Sequence, residues 1–142
     1  MSAAPVIIPM PAARPAYWPT DCMNEWAMCE SIRNCLDITV ERENGDNVAA
    51  QLVDLNALLG TSAAVLSSLW FRKEEARLKV LMVIEQSGTK ITASLQRDMV
   101  NAKCAGYGAA YEYADRLNSG VVHSIDGLRS VLSWLKLEKA QQ

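Results

Sequence analysis

The chain has one histidine, one phenylalanine and no proline beyond residue 19. Each shortage excludes something. A single histidine removes every chemistry that needs a histidine pair. A Ser–His–Asp relay around His123 has Asp115 and Asp126 close in sequence, yet no G-x-S-x-G turn presents a nucleophile. At 100° per helical residue, His123 points away from the apolar stripe of its segment, beside Arg116, Asp126 and Ser130. No catalytic residue is assigned, and the chain reads as a non-enzyme. Aromatics make up 6% of a chain that is 50% hydrophobic, with Ala, Leu and Val abundant. That balance favours helices over sheets.

Other absences narrow the cofactors. No C-x-x-C occurs; Cys22, Cys29 and Cys35 are separated by six and five residues, and Cys104 is remote. Zinc sites use tighter spacing, so these four read as small buried thiols and no metal is expected. Neither a Walker loop nor G-x-G-x-x-G is present, which leaves no nucleotide fingerprint. The N-terminus has no basic leader, and prolines cut its apolar residues "APVIIPMPAA". With no unbroken apolar run of about 18 residues, neither a signal peptide nor a membrane helix is expected. The expected location is cytoplasmic, where thiols stay free.

At 142 residues the chain is long enough for one domain. All five prolines fall in residues 1–19. They preclude a helix or central strand there. Residues 1–19 therefore form an extended arm carrying Val6, Ile7, Ile8, Tyr17 and Trp18, and residues 20–142 form the domain. The arm reads either as a mobile tail or, given its apolar decoration, as an arm laid on a neighbouring subunit. Thr20 or Asp21 is placed to cap a first helix, with Cys22, Trp26, Cys29 and Leu36 close to one face. "DITVERENGDN" is the one strand-like patch, a short hairpin or a loop.

Helical periodicity returns after Gly45. Val48, Leu52, Leu55 and Leu59 step by four, three and four. "SAAVLSSLWFRKEEARLKVLMVIEQSG" is apolar on two sides. One stripe runs Leu66, Leu69, Lys73, Ala76, Val80 and Val83; a second runs Trp70, Arg77, Leu81 and Ile84. Such a helix is covered on both sides, in part by other subunits. Gly88 is placed to end it. The last third holds a heptad seam: Val100, Cys104, Tyr107, Tyr111, Ala114, Asn118, Val121, Ile125, Leu128, Leu132 and Leu135. Its steps alternate four and three without a slip, as in coiled-coil packing. Asn118 is the polar interruption: a register device, or the mark of a kink near Gly120.

The fold class is all-α: two long antiparallel helices with coiled-coil-like packing, a shorter N-terminal helix and the Pro-rich arm. Homo-oligomer contacts are expected at Trp70, Leu81, Ile84, Asn118, Val121, Ile125, Leu128, Leu132, Trp134 and Leu135. Charge is unevenly spread. Residues 1–59 hold three Arg and no Lys against eight acids; residues 60–105 hold seven bases against four acids. An anion surface would therefore come from the middle third. Arg72, Lys73, Arg77 and Lys79 lie within about two turns beside Trp70 and Phe71, and Lys90, Arg97 and Lys103 follow. Cations beside aromatics suit phosphate tracking and base stacking, while Glu74, Glu75 and Glu85 dilute them. The candidate nucleic-acid residues are Arg72, Lys73, Arg77, Lys79, Lys90 and Arg97.

The order of "WFRKEEARLKVLMVIEQSG", a short break and "ITASLQRDMVNAKCAGYGAAYEYADRLNSGVVHSIDGLRSVLSWLK" resembles the UvsY-like recombination mediators of tailed phages, over roughly residues 47–137. Leu95, Asp98, Tyr111, Leu117, Ser124, Asp126, Leu128, Arg129, Ser130, Ser133, Leu135 and Lys136 carry the rhythm. The resemblance implies an oligomeric helical ring in the host cytoplasm. It implies binding to single-stranded DNA and loading of a RecA-like recombinase onto strands coated by single-strand-binding protein. The chain departs from that pattern in its slight acidity and its Pro-rich arm. The alternative is a helical phage assembly, adaptor or inhibitory protein that acts by protein–protein contacts without nucleic acid.

Overall fold

A computed structural model describes residues 13–142. The described residues form a single 3-10 turn, Thr20–Cys22, and four helices: α1 Met23–Leu36, α2 Gly45–Gln86, α3 Ala93–Lys103 and α4 Ala105–Gln141. No strand occurs among the described residues. The strand-like patch is a loop from 37 to 44. An isolated strand has no partner to satisfy its backbone, and Asn44 is used otherwise. Its side chain accepts from the backbone N–H groups of Asp46 and Asn47, capping α2.

α2 runs unbroken through Gly60 for 42 residues, about 63 Å. It stops where Gly88 takes φ of +68°, a left-handed conformation that glycine adopts without strain. Thr92 then caps α3 through the N–H of Leu95. The expected single C-terminal helix is two. The break falls at Cys104, not near Gly120. Just past it, Gly106 permits close packing: a Cβ there would lie 2.5 Å from the Tyr17 carbonyl oxygen. Gly120 sits inside α4, where a Cβ would stand 3.3 Å from Leu36 Cδ1, so α1 approaches closely there.

The long helices run antiparallel. Gly45 faces Leu132, Ser62 bonds to Asn118, and the Lys73 ammonium lies 5.8 Å from the Tyr111 ring centroid. Between them sits one core: Trp18, Cys22, Trp26, Cys29, Ile32 and Leu36, then Val48, Leu52, Leu55, Val65 and Leu69, then Ala110, Ala114, Leu117, Val121, Ile125 and Leu128. The heptad seam is the inward face of α4. Val121, Ile125 and Leu128 are buried within one chain, and Leu132 packs against that core. The seam expected to join subunits is thus taken up inside the monomer.

Asn118 accepts a 2.9 Å bond from the Ser62 hydroxyl, which is 1% exposed. That bond ties the register of α2 to α4, the role anticipated for a lone seam Asn. Neither Thr20 nor Asp21 makes a side-chain cap; Asp21 accepts from the Tyr107 hydroxyl at 2.8 and 2.9 Å. Val6, Ile7 and Ile8 lie outside the described residues. The arm's end is part of the core: Trp18 is 2% exposed, donates to the Cys22 carbonyl at 2.8 Å and meets Trp26 edge-on at 5.0 Å. One 18-residue stretch of α2 has mean hydropathy 1.4, apolar enough by composition to cross a membrane, although the sequence showed no unbroken apolar run. The same helix supplies Leu52, Leu55, Val65 and Leu69 to the core.

Candidate nucleic-acid interface

Burial on α2 stops at Leu69; no later residue of the helix is buried. Beyond it α2 meets α3, the start of α4 and, through Arg72, the start of α1. Trp70, Phe71, Leu78, Met82 and Val83 stay exposed, as do Leu95 and Met99 on α3. All six candidate cations sit in this α2–α3 end, but in unequal states.

Arg72 lies 3.6 Å from the Glu25 carboxylate, which is itself buried and accepts a 2.6 Å bond from Ser68. A buried carboxylate without a cation is costly. Arg72 is therefore committed to the fold. Lys73 lies over Tyr111, a cation–π contact that holds it against α4. Arg77 makes two bonds to Glu74, at 2.8 and 2.9 Å, and Lys79 meets Glu75 at 3.4 Å. These two pairs are exposed, and such pairs contribute only about 0–1 kcal/mol. A phosphate can displace either carboxylate. Lys90 and Arg97 are exposed and have no ion pair among the described residues.

The fold adds a juxtaposition that sequence reading did not supply. The turn at Gly88 folds α3 back along α2. Arg77 and Leu81 then face Ala93, Gln96, Arg97, Val100 and Asn101 across a groove of about 370 Å³. A second hollow, about 570 Å³, continues past Leu81, Ile84, Lys90 and Gln96. Trp70 stands two turns before Arg77 on the same ridge and is 47% exposed. Its ring meets Phe71 edge-on at 5.3 Å. Of the sequence candidates, Arg77, Lys90 and Arg97 line these grooves; Arg72, Lys73 and Lys79 do not. Gln96 and Asn101 were missed. The signal for them was the Gly88 turn followed by the Thr92 cap, which together dictate an antiparallel return.

Elsewhere, His123 is exposed and borders a cleft of about 240 Å³ with Leu36, Ile38, Val40, Arg42, Leu55 and Leu128. Among the described residues, no acid or nucleophile pairs with it. Trp134, on the outer line with Arg116 and His123, is 59% exposed. Burial pushes the Cys22 and Cys29 thiols up to about 12; the acids Asp21 and Glu25 add to the first, and Glu25 to the second. Cys35 and Cys104 are raised by the same cause. Such thiols are protonated and unreactive near neutrality. Tyr107 rises to about 12, through burial first and its bond to Asp21 second. Among the described residues, no three His, Cys, Asp or Glu side chains converge to hold a metal ion. No family profile, curated protein or solved structure matches the chain.

Proposed function

We propose that the protein is a non-enzymatic, oligomeric single-stranded-DNA-binding protein that acts as a recombination mediator. In that role it would load a RecA-like recombinase onto strands held by single-strand-binding protein. One observation supports the DNA contact: Trp70, Arg77, Arg97 and Lys90 share the α2–α3 flank, an exposed aromatic beside grooves rimmed by cations that a phosphate can reach. A strand tracks such a surface through its phosphates and stacks a base on the indole. The local charge of residues 60–105, seven bases against four acids, favours that encounter in a chain that is acidic as a whole. The mediator role itself comes from the family resemblance.

The test is a titration of a fluorescent single-stranded oligonucleotide at two salt concentrations. Binding should weaken steeply with salt, with a log–log slope that falls by roughly 0.7 for each phosphate contact removed. Arg77→Ala and Arg97→Ala should each lower the slope, and Trp70→Ala should lower affinity with the slope unchanged. Arg72→Ala should act through stability instead. An oligonucleotide that fails to bind at low salt sinks the reading.

A second reading has its own support. Four α2 cations already have carboxylate or aromatic partners, and the same end exposes many large apolar side chains. That surface also fits an assembly, adaptor or inhibitory protein working through protein contacts.

A further inference from the structure

The strand-like patch "DITVERENGDN" has no partner strand, yet its alternation is used. In an extended segment, residues two apart share a side. Ile38, Val40 and Arg42 step by two, and all three border the cleft of about 240 Å³ between the loop 37–44, α2 and α4. The acids Glu41 and Glu43 on either side of Arg42 do not; from the alternate set Thr39 alone reaches it. The loop is pinned at both ends. The Ile38 N–H donates to the Cys35 carbonyl at 3.3 Å, and the Asn44 N–H to the Glu41 carbonyl at 3.2 Å. The second bond closes the turn that carries Arg42.

The floor of the cleft is the core itself. Leu36, Leu55 and Leu128 are 6%, 1% and 7% exposed, and all three line it. His123 and Ser124 enter from α4, about one turn before Gly127. A Cβ on Gly127 would meet nothing within 4 Å, so a larger side chain there would stand in open space beside the cleft. Gln51 is fixed at the edge, its amide donating to the Cys35 carbonyl at 3.2 Å. Arg42 is exposed and enters no ion pair among the described residues. No carboxylate lines the cleft among the described residues.

Apolar walls with a few convergent polar groups are the usual form of a small-ligand site. Charge selects the head of the ligand. A guanidinium takes a carboxylate in a paired contact, and an imidazole N–H and the Ser124 hydroxyl can donate to the same oxygens. Volume limits the tail. At about 30 Å³ for each water-sized group, the cleft holds roughly eight of them.

We propose that this cleft binds a small amphipathic monocarboxylate, of medium-chain fatty-acid size. Its carboxylate sits at Arg42 and His123, and its tail lies on Leu36, Leu55 and Leu128. Leu55 precedes Arg77 by about 33 Å along α2, so the site stands or falls apart from nucleic-acid binding.

Calorimetric titration of the full chain with octanoate tests it, with octanol as the tail alone and acetate as the head alone. Octanoate should bind at least roughly tenfold more tightly than either. Arg42→Gln should weaken octanoate about tenfold and leave octanol unchanged. Gly127→Leu should abolish binding of both, with far-UV circular dichroism kept and the melting temperature not lowered, since leucine is the better helix former. Methyl NMR shifts on adding octanoate should centre on Val40, Leu55 and Leu128. If Gly127→Leu unfolds the chain, those shifts and Arg42→Gln, in an exposed loop, still decide the question. Octanoate that fails to bind at millimolar concentration overturns the proposal. Binding that a folded Gly127→Leu leaves intact overturns it too, by placing the ligand elsewhere. Equal binding of octanoate and octanol, with Arg42→Gln silent, overturns the carboxylate assignment.

Discussion

The two halves of α2 make an internal comparison. From 45 to 69 the helix is held between α1 and α4, and seven of its residues are buried; from 70 to 86 none is. Both halves are rich in Leu, Val and Ala. Hydrophobic content therefore does not separate them; the number of neighbours does. α1 spans only 14 residues and reaches the second half only through the Glu25–Arg72 pair. The second half has the 11-residue α3, whose one buried residue is Val100. A helix gains most of its stability from a packed face. The first half therefore carries the fold, while the second leaves its side chains open.

The sharpest way to break this comparison is one substitution made twice. Leu55 is 1% exposed and Leu78 is 54% exposed on the same helix. Leu55→Ala should cost about 2–5 kcal/mol in urea unfolding. Leu78→Ala should stay within about 0.5 kcal/mol in dilute protein. Equal losses would mean that the outer half is packed after all.

Next in size is a pair of glycines on α4. Gly106→Ala forces a Cβ against the Tyr17 carbonyl, a backbone atom with little freedom, and should cost about 1–3 kcal/mol. At Gly108 a Cβ meets nothing within 4 Å, so Gly108→Ala should be neutral or stabilise by up to about 1 kcal/mol. Thermal melts of both variants decide it.

The helix caps extend the contrast. Asn44→Ala removes two N–H acceptors at the packed end and should lower global stability by about 1 kcal/mol. Thr92→Ala removes one at the open end. Its loss should appear as faster amide exchange confined to α3, with global unfolding little changed. Ser62→Ala removes the register bond to Asn118 and should cost about 0.5–1.5 kcal/mol.

Alkaline pH probes the buried thiols and phenol, which lie mainly around the packed core. Cys22, Cys29 and Tyr107 hold their protons when folded, while the unfolded thiols ionise from 9.0 and the unfolded phenol from 10.0. The unfolded state therefore loses protons first. Their contribution is complete below pH 9 and declines as pH rises toward about 12. Urea midpoints measured from pH 7 to 11 should fall only above 9.

Much of the helical framework was legible in order. The Asn118 seam, the Cys22–Trp26–Cys29–Leu36 face and the Gly88 stop depend on local spacing and backbone conformation. What was misread depended on contacts distant in sequence. The need for glycine at 106 comes from the Tyr17 carbonyl, 89 residues earlier, which leaves no room for a Cβ. Arg72 resembled its neighbouring cations until Glu25 was seen buried beside it. The candidate groove needed Arg97 to return to Arg77, which no periodicity reports.

By itself the sequence determined an all-helical chain, where its apolar stripes run and which third is basic. Those properties belong to single helices, and a period of 3.6 residues exposes them. Only the tertiary structure decided which stripe is covered. Burial is a relation between segments, and α4 has one seam to give. It gives that seam to α1 and the first half of α2. The rest of α2 remains apolar, partly basic and open.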